Sequence, residues 1–113
     1  MTVQYEQPLI NLGGVPATAV DNVDATLTTD DSLVVVNTAT ATSTITLANA
    51  ASMPGRAVMI VAETGATNGV TIAAGAGDTI LGTIAANPIV SDGGSVTLVS
   101  NGGTQWIVQS DQA

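Results

Sequence analysis

The chain has 113 residues, with nine acids, Arg56 as its one basic residue, no Cys, His, Lys or Phe, and a net charge of −8. Without Cys or His, disulfide stapling is impossible and a structural zinc site is implausible; without clustered Lys or Arg, neither a nucleic-acid backbone nor an anionic membrane is a suitable partner. Hydrophobic residues make up 45% of the chain, but Tyr5 and Trp106 are its only aromatics, so the core must be built from small aliphatic side chains, which is marginal in one small domain and predicts oligomerisation.

Residues 1–24 show neither the alternation of a strand nor the helical period. Pro8, Gly13, Gly14 and Pro16 deny the segment a regular element, while Tyr5, Leu9, Ile10, Leu12 and Val15 make it too apolar for a solvated tail. It reads as an extended docking arm. Those five apolar residues are its expected contacts with a partner surface or a neighbouring subunit, and the ring of Tyr5 suits an interface anchor. Met1 to Ile10 has no basic stretch leading into an apolar one, so no secretory signal is visible.

Residues 25–113 read as one all-β domain. Leu33–Val36 is a continuous apolar run, as for a strand covered on both faces. Thr44–Leu47 alternates, and Ala48–Met53 offers one helical turn at most. Ala57–Ala62 is a second fully apolar strand. Val70–Ile72 and Thr79–Leu81 are short, and Pro88–Val90 suits a sheet edge, where a residue without an N–H is tolerated. Val96–Val99 and Gln105–Gln109 close the chain; in the last, Trp106 and Val108 share one face and Ile107 takes the other. Met53-Pro54-Gly55 has the residues of a type II turn. Asn68-Gly69, Asp92-Gly93 and Asn101-Gly102 are tight-turn pairs, each directly before a strand.

Short strands with regular turns predict a small antiparallel β-sandwich or jelly-roll-like domain. An internal echo supports an alternative, a short β-helix-like solenoid. Ile45-Thr46-Leu47, Val70-Thr71-Ile72 and Val96-Thr97-Leu98 share a β–Thr–β triplet at nearly even spacing along the chain, the kind of repeat that stacked coils produce.

Chemistry is poorly served. Ser and Thr are abundant, but no His or Lys exists to activate them. Gly75-Ala76-Gly77-Asp78 sets an anion where a phosphate would lie. A carboxylate pair drawn from Glu63, Asp78 and Asp92 is the one catalytic arrangement left. Adjacent Asp30 and Asp31 would point to opposite faces of a strand. Asp21 and Asp24 fall short of the ~6–8 oxygens that calcium takes. No catalytic residue, cofactor or metal ligand is therefore assigned. Arg56, between a turn and an apolar strand, is read as a structural partner for a carboxylate or for strand-end carbonyls, within the subunit or across a contact. Trp106 is read as core.

From Asp30 to Ser110 the order of elements resembles small all-β modules of tailed-phage virions, found in capsid decoration (cement) proteins and in head and tail fibres. The resemblance is carried by an acid before an apolar strand ending in Asn-Thr (Asp31 to Thr38), T-I-T-L with a small-residue stretch (Thr44 to Ala51), and Pro-Gly-Arg into an apolar strand (Pro54 to Val61). Gly-Asp-Thr-Ile (Gly77 to Ile80) follows, then Gly-Ser-Val-Thr-Leu (Gly94 to Leu98) and a Ser-Asn-Gly turn into a Trp strand (Ser100 to Val108). The Pro usual after T-I-T-L is replaced by Ala48. Such modules are typically trimeric and non-enzymatic. A free-standing module with a short arm looks most like a decoration protein. The resemblance thus implies a homotrimer on the exterior of the virion capsid, with the major capsid protein as partner, Tyr5, Leu9, Ile10, Leu12 and Val15 of the arm at the capsid or subunit interface, and no nucleic acid or membrane. The alternatives are a fibre component binding host glycans and, from another class, a carboxylate-dependent glycan hydrolase.

Overall fold

The computed structural model describes residues 17–63, 68–84, 86–90 and 93–112. Among them, nine strands form two sheets: β1 (Thr18–Asp21), β2 (Ala25–Thr26), β3 (Leu33–Asn37), β4 (Ser43–Thr46), β5 (Ala57–Ala62), β6 (Val70–Ala73), β7 (Thr79–Leu81), β8 (Ser95–Ser100) and β9 (Gln105–Asp111). The six-stranded sheet runs β1-β3-β5-β8-β9-β7 and the three-stranded sheet β2-β4-β6. A short 3-10 turn, Ala50–Ser52, follows β4.

The all-β reading holds, but the antiparallel sandwich does not. Successive strands from β1 to β6 alternate between the sheets, and within each sheet they pair in parallel: β1 with β3 and β3 with β5 in one, β2 with β4 and β4 with β6 in the other. Antiparallel strand pairing is confined to β5 with β8 and β8 with β9, and β7 then lies parallel to β9. Parallel neighbours need a crossover between them, and here each sheet supplies the crossover of the other. The triplet echo is half realised. The first two triplets do lie on parallel neighbours, but Ile45 meets Ile72 and not Val70, the partner that the triplet spacing gives. Val96-Thr97-Leu98 belongs to the other sheet and runs against β5.

The strand periods locate the core. In β3, β5 and β8 every second residue is buried, so Val34, Val36, Val58, Ile60, Ala62, Val96 and Leu98 point inward. They meet Ile45, Val70 and Ile72 of the smaller sheet, with Leu27, Leu47, Ala50, Met53 and Ile89 filling between. Trp106 enters from β9 fully buried, and its indole N–H donates to the carbonyl of Ala48 at 2.9 Å. The neighbouring Ser100 hydroxyl donates to the carbonyl of Ala50 at 2.6 Å and accepts from Gly102 N. These bonds tie the β8–β9 hairpin to the short turn after β4. Pro54-Gly55 makes the expected turn, with Gly55 at φ +70° and Arg56 N donating to Met53 O at 3.1 Å.

The open edge of β6 is sealed by residues 87–89. Asn87 donates to the carbonyl of Ile72 and accepts from its N–H, so one side-chain amide imitates a strand neighbour. Ile89 and Val70 exchange both backbone bonds, at 2.8 and 2.9 Å. Gly69 permits the approach: its φ is +93°, and a Cβ there would sit 3.0 Å from Pro88 Cβ. Covering an edge in this way removes a template for unwanted strand pairing.

Part of the segment read as an arm is among the described residues. Thr18–Asp21 is the edge strand of the larger sheet, with Thr18 beside Val34 and Val20 beside Val36. Flanking polar residues hide the single buried position, Val20, from a search for period 2. Residues 1–16, with Tyr5, Leu9, Ile10, Leu12 and Val15, lie outside the described residues.

Candidate functional surface

The acids come first, because a carboxylate pair is the remaining catalytic arrangement. Three described carboxylates are engaged by backbone N–H groups where the chain crosses between strands. Asp24 accepts from Thr44 N at 2.8 Å, Asp31 from Thr28 N at 2.7 Å, and Asp78 from Ala50 N at 2.8 Å. Asp31 also accepts from the Thr18 hydroxyl, which fastens the edge strand β1 to the turn before β3. Asp30 and Asp31 sit in that turn, not on a strand, so the expectation that they face opposite sides of a sheet does not apply. Glu63 is exposed just beyond β5, and Asp92 lies outside the described residues. Among the described residues no group of three acidic, His or Cys side chains could hold a metal ion.

A depression of about 180 Å³ lies over the smaller sheet, lined by Asp24, Ala25, Thr26, Thr44 and Thr46. Ligand pockets usually run to ~300–1,000 Å³, and the acid at this one already holds a backbone N–H. Asp78 has a structural task that can be measured. Asp78→Ala leaves the Ala50 N–H without its partner beneath the hairpin, and should cost about 1–3 kcal/mol in urea unfolding followed by circular dichroism. Asp30→Ala, at an exposed position, should change stability little.

Arg56 is exposed, and the expected pairing of its guanidinium within the subunit is not found among the described residues. Its backbone serves instead, the N–H in the Pro54-Gly55 turn and the carbonyl accepting from Ser100 N at 2.9 Å. Trp106 is buried and offers no ring to a sugar.

The two sheets present very different faces to the outside. On the smaller sheet the outward positions are Thr26, Thr44, Thr46, Thr71 and Ala73, the alternation of a wetted sheet. On the larger sheet the positions between the core residues are largely apolar, with Thr97 beside Met59 and Ser95 beside Val61 as polar exceptions. Leu33 lies beside Met59, Val35 beside Val61, Ala57 beside Val99, Val99 beside Ile107 and Ile107 beside Leu81. The partly buried side chains that join the core are Ala25, Ala48, Ile80, Ile84 and Val108, so this row stands apart from it. Ile107 remains 37% exposed and Leu81 51%. The apolar runs of β3 and β5 carry this signal in the sequence, since they read as strands covered on both faces; the extension of the face onto β7, β8 and β9 is not visible without the register.

No described helix is long and apolar enough to cross a membrane. No protein-family model, curated protein or solved structure matches the chain.

Proposed function

We propose that this chain is a virion structural protein: a decoration protein that binds the outside of a phage capsid as a trimer and stabilises it. The observation that carries this reading is the largely apolar outer face of the larger sheet, which bears a carboxylate only at the Asp21 corner, on a molecule whose described carboxylates mostly serve backbone bonds or meet solvent. A surface of that kind supports association, not turnover. The order of motifs from Asp31 to Val108 adds the likeness to virion modules. In the same reading the fold is a short β-solenoid. The pairs β1–β2, β3–β4 and β5–β6 form three stacked coils, and β7 to β9 close the last of them. A rigid stack of this kind is well suited to carrying load between capsid subunits.

The mechanism is mechanical. Every apolar surface buried between copies, or between a copy and the capsid, stabilises the assembled state by mass action. The protein should cosediment saturably with mature empty capsids and raise the temperature at which they dissociate. Saturable binding to host cells, with none to capsids, would replace this reading with that of a glycan-binding fibre component. Burial of Trp106 disfavours the fibre reading, because sugar sites normally use exposed rings.

A further inference from the structure

We infer that the outer face of the six-stranded sheet is the contact between copies of this chain, centred on Met59 and Val61 of β5. The inference rests on the reading of the protein as an assembly component and assigns the surface that reading leaves open.

The contrast between the two sheets is the first ground. Both are built by the same alternation, and both have one face on a shared core. Where a face is left to water, the chain places threonine. On the larger sheet most equivalent positions hold apolar residues, Leu33, Val35, Met59, Val61, Val99 and Ile107 among them. Thr97 and Ser95 lie beside Met59 and Val61, and it is β3 and β5 that are apolar on both faces. Strands apolar on both sides are the pattern of a sheet covered on both sides.

Charge selects the occupant. The described acids Asp21, Asp24, Asp30, Asp31, Glu63, Asp78 and Asp111 all lie at strand ends or in connections. Only Asp21, the exposed last residue of the edge strand β1, borders the face. A basic partner would be drawn to carboxylates, and the face offers it one, at a corner. An anionic lipid surface is repelled by the net charge of −8. A second copy brings the same largely apolar face and keeps both sets of acids at the rim. There water and salt screen like charges beyond ~8–10 Å.

Size is consistent with use of the whole face. Six strands at ~4.8 Å spacing, each of about five residues at ~3.3 Å, give roughly 450 Å² in projection. Closed about a common axis, three such faces bring together roughly 1,350 Å² in projection, each face shared between its two neighbours. Three copies turning this face toward a common axis would form a closed trimer, with the threonine faces outward.

The test is sedimentation equilibrium of the full chain at micromolar concentrations. The wild type should be a trimer. Met59→Lys and Val61→Glu should each weaken association by about 100-fold or more, because a charge would be buried without a partner, while circular dichroism stays unchanged. Thr71→Lys, on the outer face of the smaller sheet, should leave the trimer intact. Should the charged variants misfold, the absence of native cysteine allows a spin label at Ile107→Cys. That label should show dipolar coupling between copies, and one at Thr71→Cys should not. A monomeric wild type overturns the inference, as does a trimer indifferent to both charged variants and silent at the 107 label. A monomer that still decorates capsids would leave the proposed function standing. A trimer broken by Met59→Lys that ignores capsids would support the interface and remove the function.

Discussion

Replacing Trp106 by alanine should remove about 3–5 kcal/mol of stability, the range for deleting a large buried aromatic side chain. The ring is fully buried and is the largest side chain in the core. Its neighbours cannot collapse onto the space, because β9 is pinned on both sides, by β8 and by β7. The indole bond to Ala48 O is lost as well, which leaves a carbonyl beneath the hairpin without its partner. Domains of this size are stable by ~5–15 kcal/mol in all, so the loss removes from about a fifth to all of that margin. Trp106→Phe separates the two contributions: it keeps most of the ring and loses the bond, so it should cost about half as much or less. The check is urea unfolding followed by far-ultraviolet circular dichroism, since the substitution also removes the only tryptophan fluorophore. A Trp106→Ala protein with a wild-type midpoint would show that the hairpin does not depend on this anchor.

Deleting residues 1–16 should leave the β domain folded and weaken capsid binding by at least ~100-fold, about 2.7 kcal/mol. The first half of the expectation follows from the pairing. β1 begins at Thr18, and every strand pair and core residue described lies beyond the deleted segment. A deletion to residue 20 would be a different experiment, because it removes most of β1 and the hydroxyl of Thr18 that binds Asp31. The second half follows from composition and rests on the proposed function. Tyr5, Leu9, Ile10, Leu12 and Val15 are apolar residues interspersed with Pro8, Gly13, Gly14 and Pro16. Ordering such a segment costs ~1–2 kcal/mol per residue in backbone entropy. Burial of a Leu or Ile side chain returns ~1.5–3 kcal/mol, so the net gain is concentrated in a few anchors. Circular dichroism and cosedimentation with empty capsids measure the two halves separately. A truncated protein that binds capsids at full affinity would move the attachment onto the β domain.

The strands themselves were legible in the sequence, and their arrangement was not. Ala57–Ala62 and Thr79–Leu81 fall where apolar runs and turn residues put them, and the other strands from residue 33 onward differ by a residue or two at their ends. Burial of one face follows from period 2 alone, which is why Trp106 and Ile107 separate correctly onto core and surface. A turn pair does not say whether the chain folds back within its own sheet or crosses to the facing one. Asn101-Gly102 closes a true hairpin, whereas Asn68-Gly69 ends a crossover into β6. The repeat that would have revealed the coils is blurred because their connections differ in length. Thr18 lies beside Val34, whereas Leu33 lies beside Met59, so the first coil is much shorter than the second.

The same division applies to the candidate surface. Composition alone removes the reactive side chains that most catalysis needs, and the continuous apolar runs of β3 and β5 require cover on two sides. Only the register between distant strands shows that Val99, Ile107 and Leu81 continue the face of Ala57, and that Asp24, Asp31 and Asp78 hold backbone groups across crossovers. A strand's own pattern is set by its immediate neighbours along the chain, through the alternation of side chains. Which strands lie side by side depends on contacts between distant parts of the chain, and these form only when two sheets close on one core.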